Sequence, residues 1–385
     1  MKGGTKMDIN LGNTSSLRLL NLYKVVSLLY QAGSMTQAQI KTESGLSGPT
    51  VIQCIQHFKE KGAFYEGKAL ASSGGRKPTL ICFDYNYRYA VGVEIRRHHV
   101  DISIMNLKGE CIATRTERLI FEQSREHLQA IGRIIDELIA QNVDPKKVLG
   151  IMVAFPGEVS LDRSEITRST IFGMHSVNLD RFKKEFRYPI MIENGANAAG
   201  FGAVFKDKNL ADTVYIVVTD NGIAGSVVIN KKVYRGNSGK AGAFGHIQLD
   251  SNGRQCSCGQ KGCWSVCCSV ASLTGDEDTN LKDFFARVDN HDEEAVNALD
   301  QYIKYMAQGI ACAHLAFDTD VMIGGKIVPY LEKYQDQLRK AVFEYSVLKD
   351  ESFNINLDLT SNSPMSEGAA LMIVADYMEN GIFTE

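Results

Sequence analysis

Between Gly242 and Ser265 the chain reads G-A-F-G-H-I-Q-L-D-S-N-G-R-Q-C-S-C-G-Q-K-G-C-W-S, which places one histidine and three cysteines within 18 residues. His246, Cys256, Cys258 and Cys263 supply one imidazole and three thiolates, the closed Cys3His shell of a structural zinc ion. Glycines at 253, 259 and 262 offer the positive-φ positions that so tight a loop needs. Side chains fill all four ligand positions and leave none for water, so the expected Zn2+ is a staple and not a catalyst. The competing reading, four residues buried separately in a core, does not explain why C-x-C-G-x2-G-C stands so soon after G-H. Cys267 and Cys268 follow at once, either as competing ligands or as packed residues of the next helix; packing is the expected outcome.

A staple of this size is local, and the rest of the chain has to fold by burying apolar surface. At 385 residues the chain exceeds one ordinary core, so two or three domains are expected. Hydrophobic residues make up 44% and charged residues 23%, the balance of a globular protein. No apolar run approaches the length of a membrane span, and the first residues, M-K-G-G-T-K-M-D, lack an apolar signal core. Neither a membrane partner nor secretion is therefore expected. Nine cysteines, four of them at ligand spacing, suit a reducing cytoplasm better than a disulfide framework. The net charge of −3 hides an asymmetry: residues 1–85 carry 10 Lys/Arg against 5 Asp/Glu, a basic head on an acidic body. That asymmetry points to a polyanion as the partner of the head alone.

Within the head, Leu19, Leu22, Val26 and Leu29 recur at helical spacing and predict a helix over 16–32 that stops at Gly33. Thr36 caps a second helix over 37–43, closed at Ser44-Gly45. Ser47 caps a third over 48–61, with Pro49 in its first turn. Val51, Ile55 and Phe58 face inward on the third helix, leaving Gly48, Thr50, Gln53, Gln56 and His57 outward. Two helices joined by a short glycine turn, the second rich in Thr and Gln and uncharged at its start, make the geometry that lies in a DNA major groove. Phe64-Tyr65 and Thr79–Phe83 predict a hairpin whose tip holds Lys68, Ser72, Ser73, Gly74, Gly75, Arg76 and Lys77. The competing structure is a three-helix bundle that binds protein. The expected DNA contacts are Ser47, Gly48, Thr50, Gln53, Gln56 and His57 on the helix, with Lys59, Lys61, Lys68, Arg76 and Lys77 for phosphates and the wing.

From Tyr89 the pattern changes to strands over 90–95, 100–106 and 111–119, a helix over 124–141 and a strand over 148–155. A second round has strands over 190–193, 213–219 and 225–230, after which helices and strands alternate, the pattern of α/β layers.

The Gly242–Ser265 stretch resembles the signature of the ROK family (repressors, open reading frames, sugar kinases), G-E-x-G-H followed by C-x-C-G-x2-G-C-x-E. The likeness runs from about Asn13 to the C-terminus. T-Q-A-Q-I-K-x3-G-L-S-G-P-T-V and S-G-G-R-K-P resemble the DNA-binding head of ROK repressors, although Ile52 and Gln53 stand where a Ser-Arg pair is common. The resemblance implies an α/β body of two actin-like, ribonuclease H-like ATPase lobes behind an N-terminal winged helix-turn-helix. The expected domains are 1–86 for the head, 87–190 for the first lobe, rejoined by the C-terminal helix 366–385, and 191–365 for the second lobe with the zinc loop.

The resemblance also supplies a test for kinase chemistry, which depends on positioning and charge stabilisation of phosphate. Where the family has D-x-G-G-T, this chain has Glu94-Ile95-Arg96-Arg97-His98. Where it has G-T-G-I-G-A-G, this chain has Asp220-Asn221-Gly222-Ile223-Ala224-Gly225-Ser226. The E-N-D-A-N-A-A motif becomes Glu193-Asn194-Gly195-Ala196-Asn197-Ala198-Ala199, so the catalytic Asp is Gly195 and no general base remains. Gly324-Gly325 match adenosine-side glycines and equally suit a buried strand ending in a turn. The expectation is a non-enzyme.

Pro156, Gly157 and Asn194 match ring-contacting positions of relatives, while Gly195, Ala243 and Ser265 replace three carboxylates that grip sugar hydroxyls. With His246 these residues define an expected effector cleft. Each lost acceptor removes roughly 1.5 to 3 kcal/mol, so the ancestral sugar site is expected to be gone or retuned. Arg96, Arg97 and His98 either fill the vacated phosphate site, the favoured reading, or attract an anionic effector. Motifs of P-loop, metalloprotease and serine hydrolase type are missing. His175, His291 and His314 are read as surface or packed residues; Glu293-Glu294 and Asp276-Glu277-Asp278 are read as capping or solvating the helices that follow. The implied protein is a repressor of carbohydrate-utilisation genes. Its expected partners are a palindromic double-stranded operator, a second copy in a homodimer or tetramer, and a sugar, another small molecule or a partner protein as signal.

Overall fold

A computed structural model of the chain describes residues 14–69, 78–275, 280–361 and 363–383. The hairpin-tip residues 72–77, including Arg76 and Lys77, and the acidic run 276–278 lie outside them.

Contacts divide the chain into two compact units. Among described residues the first comprises 14–69, 78–89, 106–108 and 374–383. It begins with α1 (Thr14–Ala32), β1 (Ser34–Thr36), α2 (Gln37–Ser44) and α3 (Gly48–Lys61), followed by β2 (Phe64–Ala69) and β3 (Thr79–Phe83). The strands form an antiparallel sheet in the order β1-β3-β2. Leu22, Val25, Val26 and Leu29 of α1 are buried with Ile40, Val51, Ile55, Phe58 and Phe83, so of the apolar spacing Leu22, Val26 and Leu29 form the inner face while Leu19 is half-buried. Capping explains the helix ends. Thr36 and Gln39 form a reciprocal capping box at α2, and Gly45 closes it at φ +68°.

The second unit comprises 90–105 and 109–373. Its first sheet joins β4 (Tyr89–Ile95), β5 (His99–Asn106), β6 (Cys111–Arg118) and, after α4 (Arg125–Asn142), β7 (Val148–Phe155); the short strands β8 (Glu158–Val159), β9 (Glu165–Ser169) and β10 (Met174–Asn178) and the short α5 (Asp180–Lys183) intervene before its last strand, β11 (Ile190–Asn194). The order is β11-β7-β4-β5-β6. β7 is an uninterrupted apolar run, as a strand covered on both faces must be, and it pairs in parallel with β11. The domain boundary expected at 190/191 therefore falls at the start of β11, and the first sheet extends to Asn194. The sequence reading also missed the small antiparallel sheet β8-β9-β10.

After α6 (Gly195–Lys206) a second five-stranded sheet is built from β12 (Thr213–Val218), β13 (Ile223–Ile229), β14 (Lys232–Tyr234), β15 (Val321–Gly324) and β16 (Ile355–Leu357) in the order β14-β13-β12-β15-β16. Read along the chain, both sheets have the same strand order, 3-2-1-4-5, so the unit contains one plan twice. Its helices are α7 (Trp264–Cys268), α8 (Val270–Thr274), α9 (Leu281–Asp289), α10 (Glu293–Phe317), α11 (Val328–Leu331), α12 (Gln335–Tyr345) and α13 (Pro364–Glu379). Trp264, fully buried, lies where a Cβ on Gly309 of α10 would stand 2.2 Å from its ring, which requires glycine at that crossing.

α13 is shared between the units. Its residues to Ile373 pack on β4 and α6 through Gly92 and Gly202, while 374–383 are counted with the first unit, where the turn Gly381–Phe383 meets α1. The helix expected over 366–385 to rejoin the first lobe is thus divided between the units at Ile373 and Val374. Among the described residues no helix is long and apolar enough to cross a membrane.

Candidate functional site

The ligand atoms of His246, Cys256, Cys258 and Cys263 all lie within 4.8 Å of one another. Local backbone bonding brings them together. The Cys256 N–H donates to the Gln260 carbonyl at 2.7 Å and the Gly259 N–H to the Cys256 carbonyl at 3.0 Å. Gly262, at φ +62°, sits where a Cβ would overlap the Asp250 carbonyl. Tetrahedral ligation at the usual zinc bond lengths sets ligand-to-ligand edges of about 3.8 Å for S···S and about 3.5 Å for S···N. The Cys258 and Cys263 sulfurs are 3.6 Å apart, and the Cys256 sulfur is 3.7 Å from His246 Nδ1. The donor set therefore fits one tetrahedral ion. Burial, and then the nearby Arg168, hold His246 below its ordinary pKa, which keeps the neutral, ligating imidazole. Cys267 and Cys268 stand apart from the four: both belong to α7, and Cys268 is buried against Tyr302.

The second candidate surface is α3. Ser47 caps it, its Oγ accepting from the Thr50 N–H at 3.4 Å and lying 2.8 Å from the Thr50 hydroxyl. Gln53 and Gln56 are exposed, whereas Gly48, Thr50 and His57 are half-buried. His57 meets Phe58 edge-on, and burial, then Lys61 and Arg18, lower its pKa. Lys59 pairs with Glu66 of β2 at 2.6 Å, and Gln56 donates to Glu60 at 2.9 Å.

The residues assigned to an effector cleft are largely occupied with the fold. Asn194 caps α6 by accepting from the Asn197 N–H and donates to the Gly157 carbonyl at 2.7 Å. A Cβ on Gly195 would lie 2.8 Å from the Met365 sulfur. Ser265 is buried and bridges the Ile223 backbone, accepting from its N–H and donating to its carbonyl, each at 3.1 Å. Ala243 is exposed just before the turn that carries His246 into the metal cluster. Beside Asn194, Glu193 is buried and holds Arg163 and Arg235, a cluster the sequence reading missed.

An opening of about 440 Å3 lies instead at the degraded phosphate loops, lined by Glu94, Arg96, Arg97, His98, Asp220 and Lys326 among others; Pro156 alone of the seven cleft residues lines it. Arg96 pairs closely with Asp101 and stands 3.8 Å from Glu94 and 3.7 Å from Asp220. Arg97 donates to the Ile171 carbonyl at 3.1 Å. At the other glycine motif, a Cβ on Gly324 would strike the ring of Tyr215, whose hydroxyl donates to Asp358 at 2.8 Å. Gly324 thus has a packing role.

Burial raises Glu94 to about 7 from an ordinary 4.5, against the lowering effect of Arg96. Folded protein then binds this proton more tightly than unfolded protein, so the linked stabilisation is complete below about pH 4.5 and lost as pH rises through about 7. Glu94→Gln removes that dependence. Urea titrations are expected to show it more stable than the native chain above pH 7, by about 3 kcal/mol, with a flatter profile below; parallel profiles would contradict the assignment.

Two five-stranded sheets of identical order, the helices between their strands and a Cys3His loop define an actin-like α/β protein of the sugar kinase type. The chain belongs to the ROK family, whose profile matches residues 90–374. It is 25% identical over 325 residues to the "Xylose repressor" of Bacillus subtilis (strain 168), covering 82% of this chain and 84% of that one. Among solved structures it is similar to a "ROK family transcriptional regulator, homolog of E.coli MLC protein" (TM-score 0.76, 20% identity, 95% of this chain and 98% of that one). It is also similar to a ROK glucokinase from Streptomyces griseus in complex with glucose and AMPPNP (TM-score 0.63, 22% identity, 74% and 98%).

Proposed function

We propose that this chain is a sequence-specific DNA-binding transcriptional regulator, a repressor of carbohydrate-utilisation genes, whose ROK body no longer phosphorylates sugar. The observation that carries this reading is the capped pair α2 and α3, joined by the αL turn at Gly45 and presenting an uncharged N-terminal stripe, in a net-basic segment. Together with the β2-β3 pair it forms a winged helix-turn-helix, with Ser47, Gly48, Thr50, Gln53, Gln56 and His57 toward the bases and Lys59, Arg76 and Lys77 toward phosphates. One such helix reads too few base pairs for useful specificity, so the chain acts as a homodimer or tetramer on a palindromic operator. It works in the cytoplasm. Zinc held by His246, Cys256, Cys258 and Cys263 staples the body. A gel-shift series with genomic fragments tests the reading: one palindromic fragment retained against excess competitor supports it, and no preference among fragments contradicts it.

The signal is a small molecule or a partner protein reaching the body. Asn194 and Ser265 spend their polar groups on backbone, which speaks against an unmodified ancestral sugar site. Arg96, ringed by three carboxylates, speaks for the reading in which the phosphate site is filled from within.

The second reading, an active kinase with an added head, draws on the likeness to the glucokinase. Gly195 offers no base, and bulky or acidic side chains stand where phosphate must enter. ATP turnover with any hexose would restore it.

A further inference from the structure

The outward stripe of α3 carries a side chain that neither the charge pattern nor the cap accounts for. Ile52 is 53% exposed on a helix whose other branched and aromatic residues, Val51, Ile55 and Phe58, are buried. It shares the exposed stripe with Pro49, Gln53, Gln56 and Glu60.

The two halves of that stripe differ. Toward the C-terminus, Gln56 is engaged by Glu60, whose carboxylate repels a phosphate backbone. Toward the N-terminus there is no charge, and Gln53 makes no side-chain hydrogen bond among the described residues. In helices that enter a major groove, the N-terminal residues meet the base edges. The edges exposed there present hydrogen-bonding groups with one apolar exception, the C5-methyl of thymine. An exposed branched hydrocarbon beside a free amide therefore matches one kind of base step: the methyl packs on a thymine, and the amide pairs with N6 and N7 of an adenine.

We infer that Ile52 is a specificity-determining residue that selects a thymine in each operator half-site through its C5-methyl group, with Gln53 reading an adjacent adenine. This rests on the proposed winged helix-turn-helix reading and names the sequence chemistry that head recognises. Thr50 contributes less base discrimination than its position suggests, because the Ser47 hydroxyl already engages it, and Lys59 gives a weaker phosphate contact because Glu66 already pairs with it.

The experiment uses the full-length chain and an operator selected from genomic DNA. Each thymine of the operator is replaced in turn by deoxyuridine, which deletes the methyl and leaves the Watson–Crick edge intact. At one thymine per half-site the native protein is expected to bind about fourfold more weakly, the effect of unburying one methyl. Ile52→Ala, already weaker on the unmodified operator, should be indifferent to that substitution. Because Ile52 is exposed, the variant should keep the native melting midpoint. Native binding unchanged by every deoxyuridine, or an equal loss in Ile52→Ala at the same thymine, overturns the role of Ile52 while leaving the DNA-binding reading in place. If no fragment is selected at all, that reading fails and the inference falls with it.

Discussion

Cys258→Ser is expected to lose bound zinc and to melt well below the native chain. Cys258 is only half-buried, unlike Cys256 and Cys263, so the substitution removes a ligand with little loss of packing. A ligand bound only by the folded state stabilises by about 4 kcal/mol when its free concentration is a thousand times Kd. Losing most of that corresponds to a fall of roughly 10 °C in a body of this size. Because the cluster leads through Cys263 into α7 and Trp264, loosening it weakens the packing of α10, and DNA binding should decline indirectly. Two measurements on the same samples decide the matter: zinc per chain by atomic absorption, and melting with and without a chelator. Native protein treated with chelator should converge on the variant, and the variant should ignore chelator. Native protein with no zinc and a midpoint equal to that of the variant would refute the staple.

Gly92→Ala is the second large effect. Gly92 lies in β4, the middle strand of the first sheet. A Cβ there would stand 1.7 Å from the Ser366 carbonyl oxygen and 2.8 Å from the Ala370 nitrogen, both backbone atoms of α13. The nearby Ser103 and Ser366 hydroxyls, 2.8 Å apart and buried, hold the helix to β5 at the same level. Overpacking commonly costs about 1 to 3 kcal/mol when side chains can shift. Here a helix would have to leave the sheet, so the expected loss is about 4 kcal/mol or more. Urea unfolding should show a large drop in midpoint or an m-value that signals a separated helix. A native midpoint would mean that α13 does not pack on β4 as described.

What was legible in the sequence is what neighbouring residues decide. Thr36, Ser47 and Gly45 punctuate their helices through bonds three or four residues long. β7 showed itself as an apolar run, and the metal cluster as a spacing within one loop. What was not legible depends on distant partners. Arg96 meets Asp101 nearby but Asp220 across 124 positions, so its neutralisation had no local sign. Ser265 looked like a lost sugar ligand and is a bridge to Ile223, 42 positions away. The strands β8 to β10 are short and half polar, and they form through pairing and not through an alternating pattern of their own. The family resemblance points to seven cleft residues, of which Pro156 alone lines the opening. The hydrogen bonds of the retained Asn194 and of Ser265, at a vacated position, are both made to backbone, a use with no sign in the local sequence.

The most direct test of the account is selection of fragments from the source genome by the purified full-length chain at two salt concentrations. Phosphate contacts weaken steeply with salt, whereas base discrimination persists. Enrichment of one palindromic sequence at both concentrations, beside genes of carbohydrate use, is the predicted result. Uniform recovery that vanishes at the higher salt would contradict it, leaving a basic head that holds DNA without reading it.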